Sequence, residues 1–199
     1  PASLTDAELV GIVLGISIDA AAGALRALGG LAALQRCGGG DFAAAGFSQI
    51  RAAKLRAVGE LAVRMQAAPL QRGEALRTAE RVYAAYGPRL RGAAQECFIA
   101  VALDAKHHVL AEREIARGHL TGVEVHPREL YGWAARESAC SVLVLHNHPS
   151  GDETPSPDDV ALTSRLSRAG LVVGIKLLDH VVIGDGRFTS LSEQGALGA

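Results

Sequence analysis

In residues 142–160, VLVLHNHPSGDETPSPDDV, His146 and His148 stand one residue apart and Asp159 follows after ten more. An apolar run carries the histidines, and a Pro/Gly-rich loop brings back the carboxylate. Alternate residues of a strand share a face, so both imidazoles can aim at one point. Two imidazoles and one carboxylate suit a catalytic zinc site, whose fourth position stays open to water. The cation stabilises hydroxide, so water held there loses its proton near neutral pH. Hydrolysis also needs a carboxylate to take that proton and deliver it. Glu96, at the start of an earlier apolar run, is the candidate, provided that a sheet brings it beside the His146 strand.

Neighbouring residues have simpler readings beside the chemical one. Ser156-Pro157-Asp158-Asp159 is an ordinary helix start, with Ser as cap, Pro in the first position and acids at the positive end of the helix dipole. A helix start is also a rigid mount for a ligand, so the two readings are compatible. Asp158 competes with Asp159 as the ligand, and the spacing favours Asp159. His107 and His108 fall in a predicted turn and read as solvated; His119 and His126 read as surface or capping residues. His180, between the apolar runs of LLDHVVIG, reads as a hydrogen-bonded core histidine. The alternative is that Asp179 or His180 supports a metal ligand from behind.

The elements that would position these residues follow from periodicity and stop signals. The first third is Ala/Leu-rich and helical: Thr5 or Ser3 caps a helix to about Leu14, and Ser17 or Asp19 caps a second that stops at Gly29-Gly30. A short segment at 31–36 ends at Gly38-Gly39-Gly40, and Asp41 caps one more turn. Gly46-Phe47-Ser48 turns the chain into a long helix over 49–65. Pro69 breaks the pattern, another helix covers 73–86, and Gly87-Pro88 marks the boundary between domains 1–87 and 88–199. Beyond it, ECFIAVALD and VLAEREIA form a hairpin, and Pro127 opens a helix reaching about Ser138. SVLVLH is a central strand. A helix covers 157–169 with Gly170 as its stop, and LVVGIKLLDHVVIG supplies one or two strands. Strands interleaved with helices indicate an α/β sheet domain.

Composition limits the function classes. Hydrophobic residues make up 49% of 199, which provides a core rather than disorder. The formal net charge of -1 argues against broad nonspecific nucleic-acid binding. Cys37, Cys97 and Cys140 form no Cys-x-x-Cys pair and read as core or semi-buried thiols in a reducing compartment. No apolar run is long enough to span a bilayer, and no secretory leader pattern opens the chain, so a cytoplasmic protein without membrane partners is expected.

With these residues assembled, the chain resembles RadC-family proteins carrying a JAMM (MPN-type) metallopeptidase domain. The resemblance runs through Glu96, FIAVALD, His126-Pro127-Arg128-Glu129, HNHPSGDETPSPDD and LLDHVVIGDG, over residues 92–191. LTDAELVGIVLG and the helices after it resemble the RadC N-terminal region, which includes a helix-hairpin-helix-like element. The resemblance implies a three-layer α/β/α fold related to the cytidine deaminases, preceded by a small all-α domain. It implies that His146, His148 and Asp159 bind Zn2+, that Glu96 is the general acid/base, and that Ser156 helps to stabilise the oxyanion. The implied substrate is a protein or peptide. The deaminase signature, His-x-Glu with Pro-Cys-x-x-Cys, is absent, which disfavours nucleobase deamination.

The N-terminal resemblance departs in one place. Helix-hairpin-helix turns place two glycines one residue apart; Gly46-Phe47-Ser48 keeps the first and has Ser for the second. A Cβ there narrows the approach to a phosphate or strains the turn. Arg51, Lys54 and Arg56 follow, either as phosphate contacts or as a solvated face.

Four functions compete. The leading one is a zinc-dependent peptidase or isopeptidase. The second is a DNA-repair or DNA-binding accessory protein, and the third a metal-bound scaffold without catalysis. An HNH-type nuclease is rejected, because those enzymes spread His, Asn and His over a ββα element, whereas His146-Asn147-His148 are consecutive. Specificity would lie in the loops 118–127 and 150–155.

Overall fold

A computed structural model describes residues 2–91, 93–118 and 125–197. The chain forms two compact units, residues 1–66 and 67–199.

The first unit is helical: α1 (Asp6–Leu14), α2 (Ile18–Leu28), a 3-10 turn (Leu31–Gln35), α3 (Gly39–Ala44) and α4 (Gln49–Gln66). Thr5 caps α1 in a reciprocal box with Glu8, and Ser17 caps α2. Asp41 sits inside α3, where its carboxylate accepts from the Gly38 amide at 2.7 Å. Val10, Leu14, Leu25, Leu28, Phe42, Phe47 and Leu55 form the core. Gly46 has φ +82, the left-handed conformation that suits glycine. Ser48 has no such φ, so the expected strain is absent. Its hydroxyl instead accepts from the Arg51 amide at 3.4 Å, at the start of α4.

The second unit is a five-stranded sheet in the order β2-β1-β3-β4-β5. In chain order its elements are α5 (Ala79–Leu90), β1 (Glu96–Leu103), β2 (Val109–Gly118), α6 (Pro127–Arg136), β3 (Ser141–Asn147), α7 (Pro157–Val173), β4 (Lys176–Ile183) and β5 (Phe188–Ser190). β1 pairs antiparallel with β2 and β3, β3 runs parallel to β4, and β5 returns antiparallel. β1 and β3 lie inside the sheet and are covered on both faces, which is why they read as unbroken apolar runs. Ile99, Val101, Leu143 and Leu145 pack with α5 on one face. Phe98, Ala100, Val142 and Val144 pack with α6 and α7 on the other.

Three expectations are corrected. The helix before the sheet begins at Ala79 and continues through Gly87-Pro88 to Leu90, so the expected boundary falls inside α5. Pro88 has no N–H for the Ala84 carbonyl, and the Ala68 amide fills that place at 3.3 Å. Gly170 does not end α7, which reaches Val173 and is capped by Gly174 at φ +80. A Cβ on Gly170 would stand 2.5 Å from the Ile175 carbonyl oxygen and 2.6 Å from the Tyr131 hydroxyl, so this glycine serves close packing. Residues 171–173 therefore belong to α7, and a single strand follows. Among the cysteines, Cys97 is buried and Cys37 half-buried as expected, but Cys140 is exposed; all three are free.

Candidate metal centre

β3 ends in the two histidines, and α7 begins with the carboxylate. His146 Nε2 lies 3.0 Å from His148 Nε2 and 3.2 Å from Asp159 Oδ1. His148 Nε2 lies 3.3 Å from Asp159 Oδ2. Among the described residues these three form the cluster of His, Cys, Asp and Glu side chains able to hold a metal ion. Zinc bonds of 2.0–2.1 Å in a tetrahedron put neighbouring donors about 3.3 Å apart, so the donor set fits that ion. Asp158 is exposed while Asp159 is buried, which separates the two rivals.

Each ligand is held from behind. His148 Nδ1 is 2.7 Å from the Asp152 carbonyl oxygen. A carbonyl only accepts, so Nδ1 carries the hydrogen and Nε2 keeps its lone pair for a metal. The loop supplying that carbonyl is tied to the end of β4: Gly151 O accepts from the Asp185 amide at 2.8 Å. Gly184 packs so closely that a Cβ would stand 2.6 Å from Gly151 O. Asp159 Oδ2 accepts from the Ser156 amide at 2.7 Å and from the Ser156 hydroxyl at 2.6 Å. This is the expected capping box, and the same bonds aim the carboxylate.

The electrostatics follow from this packing. Burial pushes the Asp159 carboxyl up, but hydrogen bonds from His146 and His148, the charge on His146 and the Ser156 hydroxyl hold it far below the ordinary carboxylate range. The hydrogen bond to Asp159 raises His148 against the opposing effect of burial; the Asp152 carbonyl and the charges of Asp159 and Glu96 add to it. His180 is held well below the ordinary imidazole value by complete burial and then by the charge on His146.

Glu96 is half-buried at the first position of β1. It is two residues from Phe98, which packs on the α6/α7 face and pairs with His146 in the β1–β3 register. Alternation places Glu96 on that same face. Its charge reaches His148.

Sequence reasoning gave no part to Asn147 and Thr163, and read His180 first as a core histidine. The Asn147 Oδ1 accepts from the Cys97 amide at 2.9 Å, and its Nδ2 donates to the Gln95 carbonyl at 3.2 Å. His180 Nε2 is 2.8 Å from His146 Nδ1, and His180 Nδ1 is 2.6 Å from Thr163 Oγ1. The contact with a ligand favours the alternative, a supporting role. Asp179 instead accepts from Ser190 and Ser192, which organises the turn after β5. His107 is exposed and His126 caps α6, as expected, whereas His108 is half-buried and pairs with Asp104 in the hairpin turn. His119 and most of the expected specificity loop 118–127 lie outside the described residues; the other loop, 150–155, adjoins His148 through Asp152.

These features define a class: an α/β sheet protein whose central strand and following helix converge two imidazoles and a carboxylate into a metal-binding cluster. Residues 76–196 match the RadC-like JAB domain, and the chain belongs to that family. A UPF0758 protein of Desulforudis audaxviator is 41% identical over 200 residues, covering 97% of this chain and 87% of the relative. One of Geobacter sulfurreducens is 36% identical over 209 residues, covering 98% and 89%. One of Syntrophotalea carbinolica is 43% identical over 152 residues, covering 76% and 67%. The resemblance drawn from the sequence is thus borne out at the level of family. Among the described residues no single helix is long and apolar enough to cross a membrane.

Proposed function

We propose that this protein is a zinc-dependent hydrolase of amide bonds, a peptidase or isopeptidase. The observation that carries the reading is the convergence of His146 Nε2, His148 Nε2 and the Asp159 carboxylate at 3.0–3.3 Å. When bound, zinc supplies Lewis acidity, polarising a carbonyl and lowering the pKa of water in its open position. His146, His148 and Asp159 hold the ion. Glu96 takes the proton of the attacking water and delivers it to the leaving amine, because it shares the face of His146 and its charge reaches His148. Ser156 aims Asp159 and assists the oxyanion of the tetrahedral intermediate.

Elemental analysis of protein purified without added metal tests the site. One zinc per chain, lost in a His146→Ala/His148→Ala variant, is expected. A peptide and isopeptide library then tests the reaction, and Glu96→Gln should keep metal but lose turnover. Absence of stoichiometric metal even after zinc is supplied would remove the hydrolytic reading.

A second reading is a DNA-associated accessory protein. Its support is the exposure of Arg51, Lys54 and Arg56 on α4, just after the Gly46 turn. DNA affinity that falls steeply with salt, with a slope reflecting several phosphate contacts, would favour it.

A further inference from the structure

His180 is fully buried and forms one link of a chain of short contacts. His146 Nδ1 lies 2.8 Å from His180 Nε2, His180 Nδ1 lies 2.6 Å from Thr163 Oγ1, and Thr163 Oγ1 lies 2.6 Å from the Asp159 carbonyl oxygen. Counting protons along it leaves one arrangement. The carbonyl can only accept. Two oxygens at 2.6 Å with no proton between them would repel, so the Thr163 hydroxyl donates to Asp159. Thr163 Oγ1 then offers His180 only lone pairs, and His180 Nδ1 must carry the hydrogen. A neutral imidazole has one N–H, so His180 Nε2 is bare and accepts from His146 Nδ1–H. His146 Nε2 is then the atom turned to Asp159 and His148, and since three bare acceptors at 3.0–3.3 Å would repel, that space takes either a metal ion or, without one, a proton.

We propose that His180 and Thr163 are positioning residues that hold His146 in the Nδ1–H tautomer, so that Nε2 is the metal-binding atom. This deepens the metal-centre reading and rests on it for its consequence, although the hydrogen on His146 Nδ1 itself needs no metal. The relay starts and ends on one residue: the Asp159 carboxylate joins the cluster, and its carbonyl is the terminal acceptor. The seating of the first turn of α7 and the tautomer of the β3 histidine are therefore coupled. Reversing every proton would place a hydrogen on His146 Nε2, where it blocks a metal. His148 reaches the same tautomer separately, through the Asp152 carbonyl.

A β-bulge makes this relay possible. Along β4 the register against β3 passes from Val142↔Leu177 to Leu143↔Asp179, with Leu178 as the extra residue. Leu177 packs on the α6/α7 face, so strict alternation would send His180 to the opposite face. The bulge turns it toward His146 and Thr163.

The test is long-range 15N–1H correlation NMR of the imidazoles in the metal-free, 15N-labelled full chain, joined to zinc affinity by chelator competition. Wild-type His180 is expected to show protonated Nδ1 and bare Nε2, and His146 a protonated Nδ1; a His146 with bare Nδ1 would overturn the proposal. Thr163→Val removes the acceptor of the His180 proton. His146 is then expected to show both tautomers, and zinc affinity to fall roughly 10- to 100-fold. Thr163→Ser should restore both readouts. An unchanged tautomer and unchanged affinity in Thr163→Val would also overturn the proposal. Should Thr163→Val fail to fold, the wild-type spectrum still decides. If no form of the protein takes up zinc, the metal reading fails while the wild-type spectrum still decides the relay.

Discussion

The side chain of Asn147 grips the backbone on both sides of Glu96. Its Oδ1 accepts from the Cys97 amide at 2.9 Å, and its Nδ2 donates to the Gln95 carbonyl at 3.2 Å. The β1–β3 register ends at Phe98↔His146, so the next backbone groups of β1 are met by an amide side chain instead. The residue between the two histidines thereby fixes where the proposed proton carrier sits. Asn147→Ala takes the acceptor from the buried Cys97 amide and is expected to destabilise the protein by about 1–3 kcal/mol. Zinc stoichiometry should stay at one while turnover falls. Denaturant unfolding, elemental analysis and turnover on a substrate found by library screening check this; full activity in the folded variant would remove Asn147 from the placement of Glu96.

Much of this centre could be read from residue types alone, and the limits of that reading have physical causes. His146 and His148 were legible because strand alternation is strict and an apolar run marks β3. Asp159 was legible because Ser-Pro-Asp-Asp announces a helix start after a turn-rich loop. The contact between His180 and His146 was hidden by the bulge at Leu178, which inverts the alternation and leaves no mark in local composition. Asn147 was hidden because its partners belong to β1, and pairing across a sheet is a long-range fact. Gly170 and Gly87-Pro88 looked like stops because such residues usually end helices. Here one makes room for Tyr131 and Ile175, and the other is tolerated because the Ala68 amide takes the free carbonyl.

A proton and the proposed zinc ion would compete for His148. Its hydrogen bond to Asp159 raises its pKa above the ordinary 6.5. A group raised on folding stabilises the metal-free protein fully below its unfolded value, and that contribution is lost as pH rises through the folded value. Zinc needs Nε2 bare, so its affinity has the opposite sign and falls as pH drops through the same window. Asp159, held far below the ordinary 3.8, stays ionised throughout this window and loses its contribution only at much lower pH. Chelator competition across neutral and mildly acid pH should therefore show about one proton displaced per ion. Glu96→Gln removes a charge that raises His148, so the midpoint should move to lower pH. A midpoint unmoved by Glu96→Gln would mean that Glu96 does not face His148.

Gly184 tests the loop that holds His148. A Cβ there would meet Gly151 O at 2.6 Å and the Glu153 amide nitrogen at 2.8 Å, both of them backbone atoms with little freedom to yield. Gly184→Ala is expected to cost about 1–3 kcal/mol and to weaken zinc binding by shifting the Asp152 carbonyl. Gly59, within α4, has no positive φ, and a methyl added there would meet nothing within 4 Å. Gly59→Ala should instead stabilise the protein by about 1 kcal/mol. Thermal melts of the two variants and zinc titration of the first check the contrast; equal behaviour would show that the close approach at Gly184 does not support the site.

The observed cap and the proposed oxyanion role of Ser156 can be separated. Its hydroxyl donates to Asp159 Oδ2 at 2.6 Å, which caps α7 and aims the ligand. With zinc bound, the carboxylate would be a weaker acceptor, and the Ser156 hydroxyl could turn toward an oxyanion. Ser156→Ala should lose about 1 kcal/mol of stability through the cap alone. Zinc affinity should fall as well, because Asp159 loses a bond that orients it. Saturating zinc repairs that second loss but cannot replace a missing oxyanion donor. A turnover deficit of roughly 10²–10³-fold that persists at saturating zinc is expected. Recovery of full turnover on zinc addition would confine Ser156 to mounting Asp159 and leave the oxyanion to the metal.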